Sequence, residues 1–173
     1  MVSQLDFKFD GYCWALDVAP TDWNKFAKTD SVPLIFASEG RDESALTESE
    51  VELVIAALEG MKAQQKPIVQ RILDMYPEFR DQYYSDFNLD ENEDKLPKKI
   101  NLNSLPEFVT FERLFVHQVH RNGIPYVGYE FSNTWDDEHG LGMQLIGNRI
   151  VLLGGADVSS LLWVAEEDLQ SHS

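Results

Sequence analysis

The apolar positions fall into a strand-like start, a helical middle and a strand-like end. Leu5 to Val18 is split by Asp10-Gly11, a common hairpin-turn pair, and reads as two short strands. Val32 to Ala37 is a further strand, and Pro20 to Lys25 between them reads as a loop or a short helical turn. In the middle, Val51, Val54, Ile55, Leu58 and Met61 recur at helical spacing. Thr47-Glu48-Ser49-Glu50 ahead of them has the form of a capping box: the Thr47 hydroxyl accepts the Glu50 N–H, and Glu50 reaches back. Glu48, Glu50 and Glu52 also complement the positive end of the helix dipole. Gly60 is expected to fray this helix. Pro67, at a favoured first helical position, starts a second with Val69, Ile72, Leu73 and Tyr76 on one side. Pro77 starts a third, short helix carrying Phe79 and Tyr83.

The last third reads as a meander. Arg113 to His120 and Tyr126 to Asn133 are strands, joined at Asn122-Gly123, with Val127, Tyr129 and Phe131 on one face. Asp136 to Gly140 turns the chain again. Leu141 to Ile146 and Arg149 to Leu153 form a hairpin around Gly147-Asn148, and Gly154 to Asp157 closes the sheet. A final helix over Ser159 to Asp168 has Leu161, Leu162, Val164 and Ala165 as apolar positions, with Trp163 on another side. The expected fold is α+β, a single domain over 1–173. An antiparallel β-sheet, made of an N-terminal hairpin plus a C-terminal meander, packs with two to three central helices. Its parts are a helical middle about 47–86, an acidic loop 86–99 that reads as a linker, a β-meander about 108–157 and a final helix about 159–168.

A 43% share of hydrophobic residues and 12% aromatics argue against global disorder. Charge changes the picture more: 30 acids against 14 bases give a net charge of −16. Phosphate backbones and anionic membranes repel such a chain, so neither nucleic acid nor membrane is an expected partner. A basic protein or a cation is the natural complement. The one cysteine, Cys13, permits no internal disulfide and reads as a small buried residue. No stretch approaches the roughly 20 apolar residues of a membrane span. The start, Met1 to Asp6, lacks the basic and apolar regions of a signal peptide, so cytoplasmic residence is expected.

Three places invite a chemical reading. Asp86, Asn88, Asp90, Asn92 and Asp94 alternate like the first ligands of an EF-hand, but Glu91 and Pro97 stand where that loop needs Gly and Glu. A solvated acidic loop is the better description. His117 and His120 are three apart on a strand and so point to opposite faces, which prevents simple chelation. The third place is Asp136-Asp137-Glu138-His139, three carboxylates and an imidazole in four residues. It reads as a turn whose Asp side chains accept backbone N–H bonds and whose Gly140 and Gly142 take unusual dihedrals. It also reads as a divalent-cation site completed by Asp157 or Glu130, or as an acidic edge facing a basic partner. There is no G-x-S-x-G elbow, phosphate-binding loop or C-x-x-C pair, and Gly140-Leu141-Gly142 lies between strands without a third glycine at Rossmann spacing. No cofactor and no catalytic set are therefore expected.

The run Tyr126 to Phe131, then Trp135-Asp136-Asp137-Glu138-His139-Gly140-Leu141-Gly142, then Gly154 to Asp157, resembles an uncharacterised bacterial domain family with a W-D-x-E-H-G-x-G segment between strands. The resemblance covers roughly 110–168 and leaves the helical middle unmatched. Some members resemble immunity proteins of polymorphic-toxin systems. The resemblance and the charge together lead us to expect an acidic protein-binding domain, an immunity-type inhibitor that neutralises a basic bacterial toxin stoichiometrically. Its expected contacts are Asp136, Asp137 and Glu138 of the corner and Asp90, Glu91, Glu93 and Asp94 of the loop, with exposed aromatics such as Trp23 or Tyr84 as anchors. The alternatives are a metal-dependent enzyme centred on Asp136 to His139 and a non-inhibitory scaffold domain.

Overall fold

The computed structural model describes residues 5–173, so most of the start, where no signal peptide is expected, lies outside the described residues. Seven strands join in chain order: β1 (Lys8–Phe9), β2 (Trp14–Val18), β3 (Val32–Phe36), β4 (Val109–Arg121), β5 (Ile124–Asn133), β6 (Leu141–Ile146) and β7 (Arg149–Gly154). All neighbours pair antiparallel except β3 and β4, which run parallel. The N-terminal hairpin and the C-terminal meander are thus parts of one sheet. A parallel pair cannot close through a tight turn and needs a long crossover, here the helix α1 (Glu48–Asp86).

α1 runs through Gly60, Pro67 and Pro77 without a break, so the segments expected between 47 and 86 form one helix of 39 residues. Each interior proline removes one backbone hydrogen bond and costs about 3 kcal/mol in an isolated helix. Burial offsets this: Ile68, Val69, Ile72 and Tyr76 around the prolines are all buried in the core. The N-terminus follows the expected capping box, with Thr47 Oγ1 accepting the Glu50 N–H and Glu50 accepting the Thr47 N–H at 2.8 Å.

Glu50 also binds the Arg41 guanidinium through both oxygens, at 2.8 and 2.9 Å. That guanidinium holds the Glu50 carboxyl down to about 2, from an ordinary 4.5. The folded value lies below the unfolded one, so the pair stabilises the fold above pH 4.5 and loses its effect as pH falls toward 2. Glu50→Gln is expected to lose at most about 3 kcal/mol at pH 7 and far less near pH 3. Urea denaturation at both pH values checks this; an equal loss at both would refute the linkage.

The two faces of the sheet are covered differently. Val127, Tyr129 and Phe131 of β5, with Leu141, Met143 and Leu145 of β6, belong to the core that includes α1. Within it Trp23 lies 5.2–5.6 Å, centroid to centroid, from Phe26, Phe111, Tyr129 and Phe131. On the other face a 3-10 turn over Ala156–Ser159 and the helix α2 (Leu162–Ser171) lie against β4, β5 and β6. The final helix therefore starts later than Ser159. Glu39 Oε2 accepts the Leu162 N–H at 2.9 Å and so caps α2 from a distant loop.

Contact here is close. A Cβ at Gly128 would stand 1.8 Å from the Ser159 carbonyl oxygen, and one at Gly142 would stand 2.3 Å from that of Gly155. Gly142 thus serves close approach, not an unusual dihedral; only Gly140 of the expected pair has a positive φ, +65°. Cys13 is half-buried in the β1–β2 hairpin, not in the core.

Candidate functional site

Trp135 fixes the acidic corner. It is buried, stacked on Phe79 and edge-on to Tyr76, both on α1. Asn133 Oδ1 accepts the N–H groups of Trp135 and Asp136 at 3.1 and 2.7 Å. Asp136 Oδ1 then accepts the His139 N–H at 3.0 Å and lies 2.9 Å from His139 Nδ1. Gly140 N–H returns to the Asp136 carbonyl at 3.1 Å, and the Ala156 N–H binds the His139 carbonyl at 2.8 Å. The corner is an Asx-type turn clamped between α1 and the 156–159 turn. Hydrogen bonding to Asp136, and then its charge, raises the pKa of His139.

Asp136 is engaged inside the turn. Asp137 and Glu138 are exposed and form no hydrogen bond or ion pair among the described residues. Of the oxygen ligands expected to complete a cation site, Asp157 lies near His139, whose pKa its charge helps to raise, whereas Glu130 is engaged elsewhere. Glu130 faces Arg113 at 3.6 Å, with its pKa raised by burial. Among the described residues no three His, Cys, Asp or Glu side chains come together as a metal cluster. His117 is buried with Nε2 3.1 Å from the Ser159 carbonyl, whereas His120 is exposed on the far side of an irregularity in β4.

The stretch read as a linker is bound to the helix it follows. The Tyr84 hydroxyl donates to the Glu93 carbonyl and accepts the Lys95 and Leu96 N–H groups at 3.2 and 3.1 Å. Arg80 donates to the carbonyls of Glu91 and Leu96, both at 3.3 Å, and the Tyr76 hydroxyl to that of Pro97 at 2.7 Å. Buried Leu96 packs into the core. Asp90 Oδ1 accepts the Asn92 N–H at 2.8 Å, and Asp90 N–H points to Glu93 Oε1 at 3.3 Å. Side chains of Asp90, Glu91, Glu93 and Asp94 remain exposed.

Tyr76 touches both acidic segments: its ring meets Trp135, and its hydroxyl holds Pro97. Residues far apart in sequence, 90–94 and 136–138, therefore hang on the same third of α1. Between 74 and 94 the chain carries eight acids and one base, Arg80, whose guanidinium lies over the Tyr84 ring at 4.2 Å. The two aromatics expected as surface anchors are not available. Trp23 is fully buried and Tyr84 is 5% exposed, because one fills the sheet–helix core and the other ties down the loop. No helix among the described residues is long and apolar enough to cross a membrane.

A family model described as a domain of unknown function, DUF6985, matches residues 2–161. That span includes the helical middle, which the corner motif left unmatched, and stops before α2. No curated protein and no solved structure matches the chain.

Proposed function

The chain belongs to the DUF6985 family, a domain of unknown function, and from its surface chemistry we propose that it is an acidic protein-binding domain. The reading is that of a stoichiometric inhibitor of the immunity type, which caps the basic surface of a bacterial toxin. One observation carries it: two acidic segments are pinned by buried aromatics to one region of α1, with the carboxylates of Asp90, Glu91, Glu93, Asp94, Asp137 and Glu138 facing solvent. A pre-ordered charged surface loses little entropy on binding and speeds encounter with an opposite charge. The expectation drawn from the W-D-x-E-H-G-x-G segment, that some members of its family resemble immunity proteins, points the same way. Cytoplasmic residence, where such an inhibitor would protect its own cell, is part of the proposal.

The test is co-expression with the product of the adjacent reading frame. This protein is expected to suppress that product's toxicity and to bind it at equal stoichiometry. Raising salt from about 0.1 to 1 M shortens the screening length from about 10 to 3 Å and should weaken binding at least tenfold. The triple variant Glu91→Lys, Glu93→Lys, Asp94→Lys should melt as the parent does and lose protection. Protection that survives the triple variant would sink the acidic face as the contact. A stable partner without toxicity would leave a scaffold role instead.

A further inference from the structure

Phe87 follows the last residue of α1 and is 61% exposed. Its ring lies 4.9 Å from that of Tyr83, which is only partly buried. Among the described residues the other two exposed aromatics, Tyr12 and Trp163, have no ring neighbour. The Tyr83–Phe87 pair forms a small apolar platform at a helix end where the dipole is negative. No basic residue occupies the last turn, and Asp81, Asp86 and Asp90 around it are exposed. Arg80, the nearest cation in sequence, is already engaged, over the Tyr84 ring and with the carbonyls of Glu91 and Leu96.

Resting on the acidic-face reading above, we propose that Tyr83 and Phe87 are its anchoring patch, and that the occupant is an arginine side chain on a basic segment of the protein partner. Charge complementarity sets the sign of the occupant, and a second copy of this acidic chain does not meet it. The platform sets the residue type. A guanidinium is planar and weakly hydrated, so it can stack on an aromatic face while its edge N–H groups reach carboxylates; a lysine ammonium is compact and strongly hydrated. Arg80 over Tyr84 already makes this contact within the chain.

The experiment titrates the full chain with a nine-arginine peptide and a nine-lysine peptide at low salt. Aromatic NMR follows the rings and calorimetry follows affinity. The arginine peptide is expected to shift the Phe87 and Tyr83 ring signals and to bind about two- to fivefold tighter than the lysine peptide, the range an exposed cation–π contact gives. Phe87→Ala should keep the parent's melting temperature and remove that preference; Tyr83→Leu tests the same patch should Phe87→Ala melt early. Unmoved rings, or an undiminished arginine preference in these variants, would overturn the anchor. If the triple lysine variant still loses affinity for both peptides in that case, the acidic-face reading stands without it. If neither peptide binds the parent, both readings fall. Ring shifts that depend on protein concentration without peptide would assign the patch to self-association and also overturn the proposal.

Discussion

Trp23→Ala is expected to cost about 3–5 kcal/mol of stability, the range for truncating a large aromatic in a packed core. Trp23 is fully buried, and four aromatic rings surround it within 5.6 Å. Those rings come from β4, β5 and the loop that holds Trp23, so the indole joins segments distant in sequence. Removing it leaves a cavity that strands on one side and α1 on the other cannot close without moving together. For a chain of this length each kcal/mol is worth about 2–4 °C, so the melting temperature should fall on the order of 10 °C. Thermal and urea unfolding measure it. A loss under about 1 kcal/mol would mean that the indole is not a core residue. Partner binding by the folded fraction should be unchanged, which separates this residue from a surface anchor.

Gly128→Ala should be comparably damaging for a different reason. The added methyl would meet backbone: the Ser159 oxygen at 1.8 Å and its carbonyl carbon at 2.6 Å. A flexible side chain could swing away, but the 156–159 turn cannot shift without breaking its bonds. His117 Nε2 donates to that same Ser159 oxygen, and burial lowers the pKa of His117. Gln144 Nε2 donates to the carbonyls of Val158 and Leu161, both at 2.7 Å. Overpacking and the loss of two or three buried hydrogen bonds together come to about 4 kcal/mol. Hydrogen exchange should show the loss first at 156–171, as the turn and α2 lift from the sheet. Gly123→Ala is the control: nothing lies within 4 Å of its Cβ position, and only its φ of +80° opposes the change, at about 1–2 kcal/mol. Equal effects at the two glycines would refute the close-approach argument.

The candidate site was legible as chemistry but not as a place. The acids of 90–94 and 136–138 are visible in the sequence, and so is the turn at Asp136 to Gly140. What brings them to one region is Tyr76, which reads in the sequence as an ordinary helix-face residue. Trp23 and Tyr84 illustrate the opposite error. An aromatic flanked by polar residues reads as exposed, yet burial depends on what the rest of the chain lays over it.

What the sequence by itself determined is local. Asp10-Gly11 and Asn122-Gly123 set the hairpins, with Asn122 and Gly123 at φ +52° and +80°. Thr47 to Glu50 sets the start of α1, and the apolar spacing marks which stretches are strand and which are helical. These features depend on backbone preferences and bonds within a few residues, so a short window contains their causes. The parallel pairing of β3 with β4, the passage of α1 through two prolines, and the docking of loop 87–97 were decided by tertiary structure. In each case, contacts supplied from elsewhere in the chain outweigh a local preference of a few kcal/mol, and no window of sequence contains both sides of that comparison.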